Sequence, residues 1–414
     1  MANPKPLNIL ILLFLSFLST PSFGQNSHLP FDKIFSDSLY SITLRETRQI
    51  TVHIPESYRS DTTLTYPVAI VLDGDVFLPT VIEVQKYYSG GFTPEMILIG
   101  IDNSAHRVRD LTISALPAES GFYFSESGGA EKFRTFIRDE LIPYISKTYP
   151  TTSYRTLIGH SYGGLFTVDC LLKEPQLFQN YLAADPSLDW DHQLLLTSTT
   201  IKDQLKELHG RSLFLSMSGQ LHMQDARITL ENVQNDTSLY TQFPRSILAF
   251  IELAKSSPNL QFDWKYYPMD IHGTVPLPSF MDGLIALFEW YQMESTDKIN
   301  SFETSVKELE AIMDQREKKL ATHFGYGVPP YPEELLNMSG YMFMDMDQMD
   351  KARMYLIRAI RYYPNSPNAY DSMADWFLRN GRTDLAILEL EKAIALSSNV
   401  YFRDRLAEVK AMQR

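Results

Sequence analysis

A chain of 414 residues is long for a single core, and 44% hydrophobic and 12% aromatic residues suffice for one large domain and a smaller one. The formal net charge of −13 and a pI near 5.2 argue against nucleic acid or an anionic membrane surface as partner, since either needs a basic face. The single cysteine, Cys170, excludes an intramolecular disulfide and lies in an apolar stretch that suits a packed core thiol.

Residues 1–24 read as a signal peptide. Lys5 supplies a short positive region, Leu7 to Leu18 is an apolar run, and Ser22-Phe-Gly24 before Gln25 has the small residues of a cleavage site. The run is short for a membrane span and no later stretch could be one, so the expectation is an exported protein, periplasmic or secreted, that starts near Gln25.

Residues 40–55 alternate as one or two antiparallel strands would. Tyr66–Leu72 is a continuous apolar run that ends on Asp73-Gly74-Asp75, which predicts a buried strand entering a tight turn. Met96–Ile101 is a second such run, and Glu131–Tyr149 has helical spacing. Further strands are expected at Tyr181–Ala184, Leu213–Met217 and Phe262–Tyr267. Buried strands alternating with helices predict an α/β fold, a mostly parallel sheet with helices on both faces, over residues 25–294.

Between two of these runs stands Thr156-Leu-Ile-Gly-His-Ser-Tyr-Gly-Gly-Leu165. Gly159-His160-Ser161-Tyr162-Gly163 fits the G-x-S-x-G nucleophile elbow, with an apolar strand before it and helical spacing after it, the context that gives the motif meaning. Gly159 and Gly163 are expected to let neighbouring backbone pass close. Ser161 is thus the candidate nucleophile of an acyl-transfer site. The candidate base is His272, on the loop after the last strand; His192, His209, His222 and His323 are less well placed. The oxyanion donors expected are the amides of Tyr162 and Asp75. A triad acid is sought after Leu213–Met217. The segment Ser218-Gly-Gln-Leu-His222 has no carboxylate, so the choice falls on Asp225 ahead of Glu231, Asp236 and Asp270, with a Ser161–His272 dyad as the alternative.

After residue 294 the composition becomes polar and charged. Residues 295–332 read as a helical linker, and residues 333–414 carry a 34-residue period: Ala352 with Ala386, Ala359 with Ala393, Leu356 with Leu390, Phe343 with Phe377, Gly340 with Ala374. That period and its small residues suggest a small all-α domain of tetratricopeptide-like repeats, a candidate surface for a protein partner. The methionines and aspartates between Met338 and Asp350 fall inside the first repeat and lack the Gly and Glu of a calcium loop, so neither a metal nor a cofactor is expected.

Val71-Leu-Asp-Gly-Asp75, Arg107-Val-Arg-Asp-Leu-Thr112, the elbow, Asp185-Pro-Ser-Leu188 with Trp190, and His272-Gly-Thr-Val-Pro276 together resemble the putative-esterase (esterase D-like) family of α/β-hydrolases, which includes enterochelin-type siderophore esterases. The resemblance covers roughly residues 40–292. It implies a serine esterase that uses Ser161 and His272; with the expected signal peptide the reading is an exported hydrolase of carboxylic esters, whether of a siderophore, an acylated sugar or a small acid. It also implies a pocket near Arg107, Arg109 and Trp190, although both arginines could instead brace a loop. The competing reading is an inactive hydrolase-fold scaffold that binds a protein through its repeats; the missing acid is its main support.

Overall fold

The computed structural model describes residues 33–412, apart from 56, 59–63, 90 and 118–125; the expected signal peptide lies outside the described residues. The chain forms an eight-stranded sheet: β1 Ile34–Ser41, β2 Glu46–His53, β3 Tyr66–Val71, β4 Ile97–Ile101, β5 Thr151–His160, β6 Asn180–Ala184, β7 Arg211–Ser218 and β8 Leu260–Tyr267. Their order is β1-β2-β4-β3-β5-β6-β7-β8. β1 and β2 pair antiparallel, β2 pairs antiparallel with β4, and every later pairing is parallel, as the alternating edge and the apolar runs predict.

Each central strand is buried on both faces, and its side chains alternate between two cores. Val68, Ile70, Leu157, Tyr181 and Leu213 face one core, whereas Ala69, Val71, Ile158, Leu182 and Phe214 face the other. Helices α1 (Gly74–Tyr88), α2 (Arg107–Leu111), α3 (Ala130–Phe136), α4 (Ile142–Thr148), α5 (Tyr162–Lys173), α6 (Trp190–Thr197), α7 (Ile201–Lys206), α8 (Gln242–Lys255) and α9 (Pro276–Leu287) fill the connections. The first core is closed by α3, α4, α5, α7 and α8, and the second by α1 and α9. The helix expected over 131–149 is interrupted by a π turn at Ile137–Leu141, which separates α3 from α4. Cys170, on α5, is fully buried, and that burial pushes its thiol well above its ordinary pKa, as suits a packing role.

Past a short helix, α10 (Thr296–Ile299), the segment read as a linker contains α11 (Val306–Phe324). Ser305 caps it by accepting from the Glu308 amide at 3.2 Å, and Gly325 ends it in the left-handed conformation, φ 80°. The first half of α11 puts Leu309 and Met313 into the core of the helices that follow. Its second half puts Leu320 and Phe324 into the second core of the sheet. Tyr326 Oη donates to Thr152 Oγ1 at 2.8 Å, and Phe324 packs edge-on against Tyr154 with ring centroids 5.0 Å apart. Thr152 and Tyr154 begin β5, so this module docks at the end of the sheet opposite to Ser161, about 30 Å along an extended strand.

The module comprises α12 (Glu333–Asp345), α13 (Met349–Tyr362), α14 (Pro367–Arg379), α15 (Thr383–Leu396) and α16 (Val400–Ala411). α12 and α14 both have 13 residues, α13 and α15 both have 14, and each pair is displaced by 34 positions. The period is that of the small residues: Ala352, Ala359, Ala374, Ala386 and Ala393 are fully buried. A Cβ on Gly340 would meet Leu356 Cδ2 at 2.6 Å, so an alanine there would require the Leu356 side chain to shift.

Candidate active site

The parallel strands end on one edge of the sheet, and the chemistry-bearing residues leave it from neighbouring strands. Ser161 follows β5 with φ 59° and ψ −116°, a conformation that costs a non-glycine residue of order 1–3 kcal/mol and that persists where its surroundings impose it. The surroundings are specific. The Ser161 amide donates to Ala184 O at 3.1 Å, and Ser161 O accepts from the amides of Leu165 at 2.9 Å and Ser187 at 3.0 Å. A Cβ on Gly159 would sit 2.2 Å from Gly163 O, so Gly159 is required. Gly163 is less constrained, its nearest neighbour being Leu72 at 3.5 Å. The second tight position is Gly164, whose Cβ would lie 2.9 Å from Pro186.

His272 lies on the loop after β8. Its Nδ1 is 2.7 Å from Asp185 Oδ2. Asp185 follows β6, next to β5 in the sheet, is fully buried, and has a positive φ of 41°. Its other oxygen, Oδ1, accepts from the Ser218 amide at 2.8 Å. A buried carboxylate bonded to Nδ1 is what fixes the tautomer of a catalytic histidine and stabilises its imidazolium.

The acid beside His272 is therefore Asp185, not Asp225. Asp225 is bound through both oxygens to Arg227, at 2.9 and 2.6 Å, in a half-exposed loop; those hydrogen bonds hold its carboxyl well below the usual carboxylate range. The physical reason is visible at the end of β7, where the carboxylate was sought. That end supports the acid and the base without supplying either: the Ser218 amide donates to Asp185, and Gln220 Oε1 accepts from the His272 amide at 3.2 Å.

Among the described residues, Ser161 Oγ shares a hydrogen bond with Ser187 Oγ at 3.2 Å, and none joins it to His272. Catalytic hydrogen bonds are often long in a free enzyme and tighten with substrate. Ser187, buried and two residues past Asp185, thus links the nucleophile to the acid's loop.

The turn after β3 stands beside the elbow. The Cβ direction of Gly163 points to Leu72 and to Asp73 Oδ2, 3.6 Å away. Arg107 binds both oxygens of buried Asp73 at 2.9 Å, donates to His160 O at 3.3 Å, and stacks over the Tyr162 ring at 5.2 Å. Arg107 stands beside the elbow, with its guanidinium committed to holding turn and elbow together. Burial pushes the Asp73 carboxyl up, and Arg107 opposes that shift. Asp75 lies in the first turn of α1 and Tyr162 opens α5 at this junction, where helix N-terminal amides have no partner within their helices.

Arg109 does not join the pocket. It forms a pair of bonds to Glu46 on β2, at 3.0 and 2.6 Å, and one to the adjacent Asp110 at 2.9 Å. Of the two roles weighed for it, bracing a loop is the one observed. Trp190 is buried, packs edge-on against Tyr162 at 5.3 Å, and donates from Nε1 to Ser114 Oγ at 3.0 Å. Ser114 in turn donates to Asp191 Oδ2 at 2.7 Å, which ties the segment after α2 to the segment after Asp185. There Asp191, His192 and Gln193 form one left-handed turn, with φ of 50°, 55° and 65°. Among the described residues no group of three or more His, Cys, Asp or Glu side chains is arranged to hold a metal ion.

The chain matches the model of the family described as Putative esterase over residues 41–272, and it belongs to that family. It is 36% identical over 150 residues to the ferri-bacillibactin esterase BesA of Bacillus subtilis, which covers 32% of this chain and 52% of that one. It is 31% identical over 176 residues to a siderophore enterobactin esterase of Emericella nidulans, covering 39% and 56%. The chain thus spans about half the length of these two relatives. Its structure resembles an IroE-like serine hydrolase of Shewanella oneidensis, with a TM-score of 0.61 and 25% identity over 80% of this chain and 99% of that one. The fold is that of an α/β-hydrolase, followed by a helical region.

Proposed function

We propose that the chain is a serine hydrolase of carboxylic esters that works through Ser161, His272 and Asp185. The observation that carries this reading is the 2.7 Å contact between His272 Nδ1 and the buried Asp185 carboxylate, one strand away from a strained serine at a nucleophile elbow. Ser161 Oγ attacks the ester carbonyl carbon while His272 Nε2 takes its proton. The oxyanion is met by the Tyr162 amide and by a second amide from the turn at 73–75, with Asp75 as the donor. His272 returns the proton to the departing alcohol. Water, activated by the same ring, then hydrolyses the acyl group from Ser161. Asp185 stays ionised throughout and stabilises the imidazolium.

Siderophore-type esters are the substrate class favoured by the names of the relatives; an acylated sugar or small ester is the alternative. The scaffold reading rested on a missing acid, and Asp185 removes that ground. We assign the helices after residue 332 a tetratricopeptide-like character from their 34-residue period, and export from the sequence of residues 1–24. No helix of the described residues is long and apolar enough to cross a membrane.

The test is turnover of p-nitrophenyl butyrate and of enterobactin, with and without iron, by the wild type and by Ser161→Ala. Release of product that Ser161→Ala abolishes is the expected result. Cleavage of p-nitrophenyl butyrate but not of enterobactin would retain the esterase and discard the siderophore.

A further inference from the structure

The loop that carries His272 is poorly held by packing. Met269 is 93% exposed and Ile271 56%, and a Cβ on Gly273 would meet nothing within 4 Å. A base whose loop can drift by 1 Å forfeits about a hundredfold in rate. Backbone bonds hold the residues on either side, from the Gly219 amide to Asp270 O at 2.8 Å and from the Thr274 and Val275 amides to Ile271 O at 3.0 Å, and Phe243 packs edge-on against the His272 ring at 5.2 Å. The amide and carbonyl of His272 itself are each held by a side chain. Gln220 Oε1 accepts from the His272 amide at 3.2 Å, and His160 Nε2 lies 2.9 Å from the His272 carbonyl oxygen.

We propose that His160, the residue before the nucleophile, is a positioning residue for the base: it donates from Nε2 to the His272 carbonyl and offers its ring as the surface on which the His272 ring rests. This rests on the reading of His272 as the base. A carbonyl oxygen can only accept, so the proton of His160 is on Nε2. The two rings lie with centroids 4.5 Å apart at 37°, and Phe77 closes the arrangement edge-on to His160 at 5.3 Å. His160 is itself 7% exposed and stands at the end of β5, a rigid element, so it transfers the position of the elbow to the loop opposite. Burial, with His272 and Arg107 nearby, pushes its pKa down to about 4, which keeps it uncharged while its neighbour becomes imidazolium during turnover. One residue of the motif thereby registers the base against the nucleophile that follows it in sequence.

The test compares His160→Gln, which keeps an N–H donor at a similar reach, with His160→Leu, which fills the space without one. On p-nitrophenyl butyrate, His160→Leu is expected to lower kcat by about a hundredfold with KM little changed, and His160→Gln to recover about tenfold of that loss. Equal kcat in the two variants, or a loss confined to KM, would overturn the proposal. If thermal melting shows that His160→Leu does not fold, His160→Met serves in the same comparison. Fluorophosphonate labelling of the wild type separates the two levels: an unlabelled wild type removes the esterase reading itself, whereas a labelled wild type with equal Gln and Leu variants removes only the role of His160.

Discussion

Asp185 Oδ2 and His272 Nδ1 meet at 2.7 Å although 87 positions of chain separate them, and the carboxylate's second oxygen is occupied by the Ser218 amide. Asp185→Asn should keep the shape and lose the charge that fixes the tautomer, lowering kcat by about 10²–10⁴ with little change in KM. Asp225→Ala removes only a loop contact to Arg227 and should leave kcat within about threefold of wild type. Steady-state kinetics on one chromogenic ester decides between them.

The elbow makes a second, purely steric prediction. Gly159→Ala would drive a Cβ to 2.2 Å from a backbone oxygen that cannot yield, so it should cost on the order of 3 kcal/mol or prevent folding. Gly163→Ala meets its first neighbour at 3.5 Å and should cost roughly 1 kcal/mol or less. Urea unfolding of the two variants should separate them clearly, in spite of their equal standing in the motif.

Arg107 and Arg109 should also part company. Removing Arg107 leaves the Asp73 carboxylate, 3% exposed, without its charge partner, a loss of about 3–5 kcal/mol that also loosens the turn beside the elbow. Arg107→Ala should therefore lower both the melting temperature and kcat. Arg109→Ala breaks the tie to Glu46 and Asp110, away from the elbow, and should lower the melting temperature while leaving KM unchanged. A raised KM in Arg109→Ala would restore it to the pocket.

Acid should act on stability through His160. Its folded pKa of about 4 lies below the ordinary 6.5, so between these values the unfolded chain binds a proton that the folded chain refuses. The stabilisation is complete above pH 6.5 and declines as pH falls towards 4, by roughly 3 kcal/mol. Desolvation is the largest cause, with His272 and Arg107 adding to it and Asp185 opposing. Glu46 is held down to about 2 by Arg109 and acts in the same direction, but below its ordinary 4.5. Denaturant unfolding at pH 7 and pH 5 should accordingly show a smaller decline in His160→Gln than in wild type.

Much of this was legible in the chain. The apolar runs ending at Leu72, Ile101 and Ala184 are legible as strands because they are short, four to seven residues, and a sheet covered on both faces buries such a run continuously. The elbow and His272 were legible because their local context is the chemistry's own requirement. Asp185 was not legible as the acid, although Asp185-Pro-Ser-Leu188 stood out. An Asp-Pro pair after a strand reads as a turn, and its meeting with His272 depends on β6 lying beside β5, a tertiary fact. The commitment of Arg109 to Glu46 is equally tertiary, since β2 and α2 come together only when β2 pairs with β4. Local spacing also hid the π turn at Ile137–Leu141, because an extra residue in one turn leaves the apolar face continuous.

The most direct test of the central claim is peptide mapping by mass spectrometry after the protein reacts with a fluorophosphonate, with the rate of labelling compared between wild type and Asp185→Asn. A single adduct is expected, on Ser161, forming far more slowly in Asp185→Asn. An adduct elsewhere, no adduct at all, or equal rates in the two proteins would contradict that claim.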